Sequence, residues 1–288
     1  MRLLRFAVAF ALTACLFADE SSPADNAAAI ALYREKKNAE ARAAFEQLAT
    51  ANPKDAEAVH FLGLIAIREK RFDDAVTLHE KATALAPENS TYFVALGDAY
   101  GRKAASASLF SKLSWAKKCH AALEKAVALD PRSLTANTAL TEFYRRAPGV
   151  AGGGMAKAYA QAESFKKIDL INGTLILAGL YQAEGKFSEI FTLLDEALVT
   201  NPDNYLLLFG YGRAAAESGQ QLDRGVRSLQ RCLELTPPSR AAGHASVWFY
   251  LGQIRLKQND PQAARTAYES ALKLDPAHRE AAKALERL

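Results

Sequence analysis

The amino-acid sequence predicts an all-α chain, a solenoid of about seven stacked helical hairpins closed by a short C-terminal capping helix. Three observations carry this. Proline-centred turns recur at Asn52-Pro53, Ala86-Pro87, Asp130-Pro131, Asn201-Pro202, Thr236-Pro237 and Asp275-Pro276, with a degenerate copy at Asp169-Leu170, and their spacing scatters around about 34 residues. Between the turns, apolar residues lie three and four apart, which gives each helix one buried stripe. Gly63, Gly97, Gly212 and Gly252 fall in mid-helix at one shared offset. Glycine there costs about 1 kcal/mol relative to alanine, so a repeated cost predicts helices too close for a methyl group.

The elements follow in order. The first hairpin, residues 22–55, carries Ala29, Leu32, Ala41, Phe45 and Leu48 before Pro53, and the second, 56–89, carries Leu62-Gly63, Ala66, Ala75 and Ala82 before Pro87. The third opens with Phe93, Leu96-Gly97 and Tyr100 and holds an insertion within 103–118 that includes Trp115. The fourth holds a glycine-rich insertion at 147–154. The fifth carries Leu177-Ala178, Tyr181, Leu194 and Ala197, and the sixth Leu208, Tyr211-Gly212, Ala215, Gly225 and Leu229. The seventh carries Trp248, Leu251-Gly252, Ala264, Tyr268 and Ala271. Each proline ends a second helix by removing a donor and crowding the preceding turn. One hairpin cannot cover its own apolar face, so neighbours must stack. Residues 279–288 turn Ala281, Leu285 and Leu288 toward the last hairpin and charged side chains to water, as a terminal cap does.

These offsets resemble the tetratricopeptide repeat, a helix–turn–helix unit of about 34 residues, over nearly the whole of 22–278. The resemblance implies a right-handed α-solenoid whose first helices line a concave face that binds extended or helical peptides. Carried over position by position, it nominates His60, Leu64, Ile67, Val94, Asp98, Glu142, Arg145, Gln182, Phe209, Arg213, Phe249 and Gln253 as the peptide-binding groove. The paired Lys and Asn residues of the chaperone-tail carboxylate clamp do not stand at these offsets.

The N-terminus points to export. Met1–Arg5 is basic and Phe6–Ala14 is apolar. Such a helix rises about 14 Å against a hydrocarbon core of roughly 30 Å, so it reads as an export signal within 1–18 rather than a spanning anchor. Two processing sites remain open. Cleavage before Asp19 would release a soluble periplasmic protein, whereas Leu12-Thr-Ala-Cys15 resembles a bacterial lipobox with Cys15 as the lipidated residue. Residues 19–26 would form a polar tether and 27–288 the solenoid. No other apolar run is long enough to span a bilayer.

Composition narrows the function. The 288 residues are 50% hydrophobic, 24% charged and 9% aromatic, which excludes a disordered chain, a collagen-like fibre and a disulfide-dense scaffold. The formal charge is +4, with Arg2 and Arg5 in the export segment, so the rest is nearly balanced and nothing calls for nucleic acid. Cys119 and Cys232 fall at small-residue core offsets of separate hairpins, which predicts buried free thiols. The five histidines form no metal-binding spacing, and no nucleophile elbow is present. The expectation is therefore a non-enzymatic scaffold or assembly factor of the cell envelope, without metal or cofactor. Its partner is a protein or peptide, its membrane contact is a lipid anchor at Cys15 if that site is used, and its oligomeric state stays open. The alternative is a small-ligand or enzymatic module built on the two insertions. Gly152–Gly154, ahead of a helix starting near Met155, would offer N–H groups to an anion beside Lys157, although the Gly-Lys-Ser/Thr ending of a P-loop is missing. For 103–118 the plain reading is that both helices lengthen and pack on each other; the functional one is a protruding apolar contact surface.

Overall fold

The computed structural model describes residues 23–239 and 241–288. The expected export segment 1–18, with Cys15, and the start of the expected tether lie outside the described residues. Within them the regular structure is helical, fifteen α-helices and one short 3-10 turn, with no strand. Seven hairpins follow one another: α1 (Pro23–Arg34) with α2 (Asn38–Ala51), α3 (Ala56–Arg68) with α4 (Phe72–Leu85), and α5 (Ser90–Ser106) with α6 (Leu109–Leu129). Next come α7 (Leu134–Arg146) with α8 (Met155–Ile168), α9 (Leu170–Ala183) with α10 (Phe187–Thr200), and α11 (Tyr205–Ser218) with α12 (Leu222–Glu234). The last pair is α13 (His244–Lys257) with α14 (Pro261–Leu274), and α15 (Arg279–Leu285) closes the stack. Helix α1 takes in Pro23–Asn26, four residues that the sequence placed in the tether. The reason is local: Asn26 is buried and its amide donates to Asp55 (3.3 Å), which caps α3, and to Glu57 (2.9 Å) on that helix.

The proline turns do two things at once. The residue before each proline is non-helical, as the ring's clash with its predecessor requires; Asn52 sits at φ −127°, ψ 93° and Asp275 at φ −137°, ψ 93°. Two residues after the proline, a short polar side chain caps the next first helix. Asp55 accepts from Ala58 N, Asn89 from Thr91 N and Tyr92 N, Ser133 from Ala136 N, and Asn204 from Leu206 N and Leu207 N. Each cap satisfies backbone donors that the first turn leaves without an intrahelical partner. The link between the sixth and seventh hairpins is longer and lacks such a cap. There the Tyr205 hydroxyl donates to the carbonyl of Ala242 (2.6 Å), and His244 Nε2 meets the carbonyl of Leu235 at 2.9 Å.

The mid-helix glycines mark where the two helices of a hairpin touch. A Cβ at Gly63 would lie 2.6 Å from the His79 ring, and one at Gly97 would lie 2.6 Å from Leu123. At Gly212 and Gly252 it would collide with Leu229 and Tyr268. Ala75, Ala82, Ala126, Ala197, Ala264 and Ala271 are all buried on the opposing helices. Cys119 and Cys232 are buried free thiols, and burial pushes both up to about 12.

Consecutive first helices pack on one another, from α1–α3 through α11–α13, whereas consecutive second helices do not pack comparably. The stack therefore curves with its first helices on the inner side. Among the described residues no helix is long and apolar enough to cross a membrane.

Both insertions are ordered. The first is helix extension: α5 runs to Ser106 and α6 spans 21 residues. Trp115 packs on Tyr100 with centroids 5.8 Å apart, and the Lys118 ammonium lies 4.8 Å over the indole. The second insertion makes a 3-10 turn at Gly149–Ala151 that packs against α6. Here His120 of α6 stacks on Phe143 (5.0 Å, 6°), and Gly152 sits so near the imidazole that a Cβ would lie 2.8 Å from Nδ1.

Candidate functional site

The inner face of the fourth to sixth hairpins holds two adjoining grooves. One, of about 730 Å3, lies between α7 and α9, with Leu134, Thr138, Thr141, Leu175, Ile176 and Gly179 among its lining residues. The other, of about 340 Å3, lies between α9 and α11, where Leu206, Phe209 and Gly210 meet Leu175. Leu175 and Gln182 line both, so the surface is continuous across three first helices. Helix α9 explains its apolar character. Its sequence LINGTLILAGLYQA is apolar on both sides: Leu177 and Ala178 are buried in the core, while Leu175 and Ile176 are only half-buried and line the groove.

Polar side chains stand at the C-terminal ends of the same helices. Glu142 accepts two hydrogen bonds from Arg145 (2.7 and 2.6 Å) and also pairs with Arg146. The Arg145 hydrogen bonds hold the Glu142 carboxyl below the usual carboxylate range. Gln182 donates to Glu217 (2.6 Å) and accepts from Arg213 (3.1 Å), tying α9 to α11. Phe209 stacks beside Tyr205 (6.3 Å) and meets the edge of Tyr250 at 5.5 Å.

Five nominated residues, Glu142, Arg145, Gln182, Phe209 and Arg213, thus come together. Leu64, Ile67, Val94 and Gln253 are half-buried on other hairpins, and Asp98 is exposed and paired with Arg102 (2.8 Å); these five line neither groove. The remaining two nominated residues are buried. His60 is 7% exposed, stacked on Tyr92 at 4.6 Å with the His79 ring 5.3 Å away, and burial lowers its pKa to about 4. Phe249 is 9% exposed and packed against Tyr268 (6.0 Å) and His278 (5.2 Å). Both share the offset of Phe209, but the next hairpin, or the cap, closes over them. Sequence reasoning missed Leu134, Thr141, Leu175, Ile176 and Gly179; the excess of apolar residues on α9 was the available signal.

The glycine-rich insertion spends its donors internally. Gly152 N donates to the carbonyl of Gly149 (2.9 Å), Gly153 N to Pro148 (3.2 Å) and Gly154 N to Tyr144 (2.7 Å), while the Lys157 ammonium donates to the carbonyl of Gly152 (2.8 Å). An anion would find none of the three glycine N–H groups free. Among the described residues no three His, Cys, Asp or Glu side chains are arranged to hold a metal ion.

Comparison with known proteins agrees with this architecture at both ends of the stack. Family models of the tetratricopeptide repeat match residues 26–90 and 245–278. The chain is a tetratricopeptide repeat protein. Among solved structures, a tetratricopeptide repeat protein from Parabacteroides merdae ATCC 43184 superposes with a TM-score of 0.55 at 13% identity, over 91% of this chain and 96% of that one. A thermophilic repeat protein of Thermus thermophilus gives a TM-score of 0.49 at 21% identity, over 73% of this chain and 98% of that one. No curated protein matches the sequence. The tetratricopeptide fold serves protein–protein interaction in general, and the inner grooves are where this member offers open apolar surface.

Proposed function

We propose that this tetratricopeptide repeat protein is a non-enzymatic scaffold that binds a protein or peptide of the bacterial cell envelope through the grooves of α7, α9 and α11. The observation that carries the reading is the continuity of the two grooves: Leu175, Ile176 and Phe209 form an open apolar floor, and Gln182 and Arg213 stand above it. Burying such a floor drives association, and a few placed polar groups fix orientation. Export rests on Arg2, Arg5 and the apolar run Phe6–Ala14, with Cys15 or Asp19 as the mature first residue.

Affinity capture from envelope extract tests the groove. The wild-type chain retains a partner that Phe209→Ala/Arg213→Ala loses at unchanged Tm; equal capture by the double variant rejects the reading. Mass spectrometry of the mature N-terminus separates a lipidated Cys15 from a free Asp19, and an unprocessed Met1 rejects export.

A further inference from the structure

We infer that the α7–α9 groove takes an apolar peptide segment carrying an acidic residue, its main chain lying on Gly179 and bonded to the Thr141 hydroxyl; this rests on the groove reading above. Three independent observations bear on it. First, among the α-helical glycines of the described residues, Gly179 alone has open space around its Cβ direction, with nothing within 4 Å. Its fellows at 63, 97, 212 and 252 are required by a neighbouring helix, but no intramolecular neighbour requires this one. It stands in the middle of α9, exposed, on the wall of the groove. A helix-weakening residue that packing does not need is explained by a partner whose backbone approaches closely.

Second, Thr141 is 2% exposed, lines the same groove, and its hydroxyl has no hydrogen-bond partner. Five other helical threonines settle that need locally, Thr50, Thr77, Thr83, Thr192 and Thr266 each donating to the carbonyl four residues earlier; Thr174 of α9 is also buried and unpaired, but of the two only Thr141 lines the groove. A buried hydroxyl left unpaired is unfavourable until a ligand completes it. Third, at the rim of this groove Arg145 and Arg146 share the single carboxylate of Glu142, while Arg213 of the adjoining groove is balanced by Glu217 3.8 Å away. The surplus is positive, so the complementary partner carries a carboxylate beside its apolar residues.

The variants that test this are unusual in that none should harm the fold. Gly179→Gln places a good helix former in open space, and Thr141→Val removes an unpaired hydroxyl without changing shape. A random dodecapeptide display library is panned on the purified chain, and the enriched peptides are synthesised with a fluorescent label. Enrichment of Leu or Ile together with Asp or Glu is expected. So is a Kd weakened by about tenfold or more in Gly179→Gln and by about threefold to tenfold in Thr141→Val, at a Tm equal to or above the wild type. Enrichment of basic or uncharged peptides overturns the partner chemistry. Binding that Phe209→Ala abolishes but Gly179→Gln leaves within twofold overturns this inference and leaves the groove reading standing. Failure to enrich any peptide overturns both.

Discussion

At the scale of single residues, the same substitution should act with opposite sign at two glycines of this chain. Gly252→Ala drives a methyl into the Tyr268 ring, so a loss of about 1–3 kcal/mol is expected in thermal denaturation, as for other overpacked sites. Gly179→Ala meets nothing and should gain about 1 kcal/mol from helix propensity alone. The buried histidines supply a second test. Burial lowers His60 to about 4 and His79 to about 3, below their ordinary 6.5, so the unfolded chain binds protons in a window where the native chain does not. Stability is therefore full above about pH 6.5 and falls as pH drops toward 4 and 3, by about 3–5 kcal/mol for each group when complete. Chemical denaturation at pH 7.5 and pH 5 should show the loss, and His60→Phe, which keeps the stack on Tyr92, should shrink it.

At the scale of elements, the proline tetrapeptides carry most of the design. The sequence identified them as stops for the second helices, and in the structure the polar residue two places on also starts the next first helix. Asn204→Ala leaves Leu206 N and Leu207 N without their acceptor and should cost about 1 kcal/mol in the same denaturation assay. The hairpin register was legible because glycine at a tight crossing tolerates no alternative. The ends of the groove were legible too, since Glu142, Arg145 and Gln182 occupy offsets that face inward whatever packs nearby. The middle was not. Whether the residue at the offset of His60, Phe209 and Phe249 faces a ligand or the core depends on the next helix along, and Tyr92 covers one while His278 covers another. On α9 the groove-side residues Leu175 and Ile176 are as apolar as the core residues Leu177 and Ala178, so periodicity could not separate them. The fifth hairpin was also the one whose proline signal was degenerate, yet Asp169 still caps α9 by accepting from Asn172 N.

At the scale of the whole molecule, each hairpin borrows its stability from its neighbours. Cutting the chain after Asp275 uncovers Phe249, Ala264, Tyr268 and Ala271, which α15 packs against. The shortened protein should melt earlier and scatter light through aggregation, while a chain that melts unchanged would mean the cap is dispensable. Thiol labelling reads the same cooperativity from within. With both Cys119 and Cys232 buried and pushed up to about 12, a thiol-reactive dye should label neither below the unfolding transition and both above it. The lopsided packing of the stack, with contact between consecutive first helices and little between consecutive second ones, is the arrangement of a bent leaf spring. With the second helices out of mutual contact, a small rotation where α7 meets α9 would pinch or widen the inner cleft and swing both ends of the arc. A cargo seated there would be gripped by curvature as much as by chemistry, and whatever pulls on the distant ends of the chain would tune that grip.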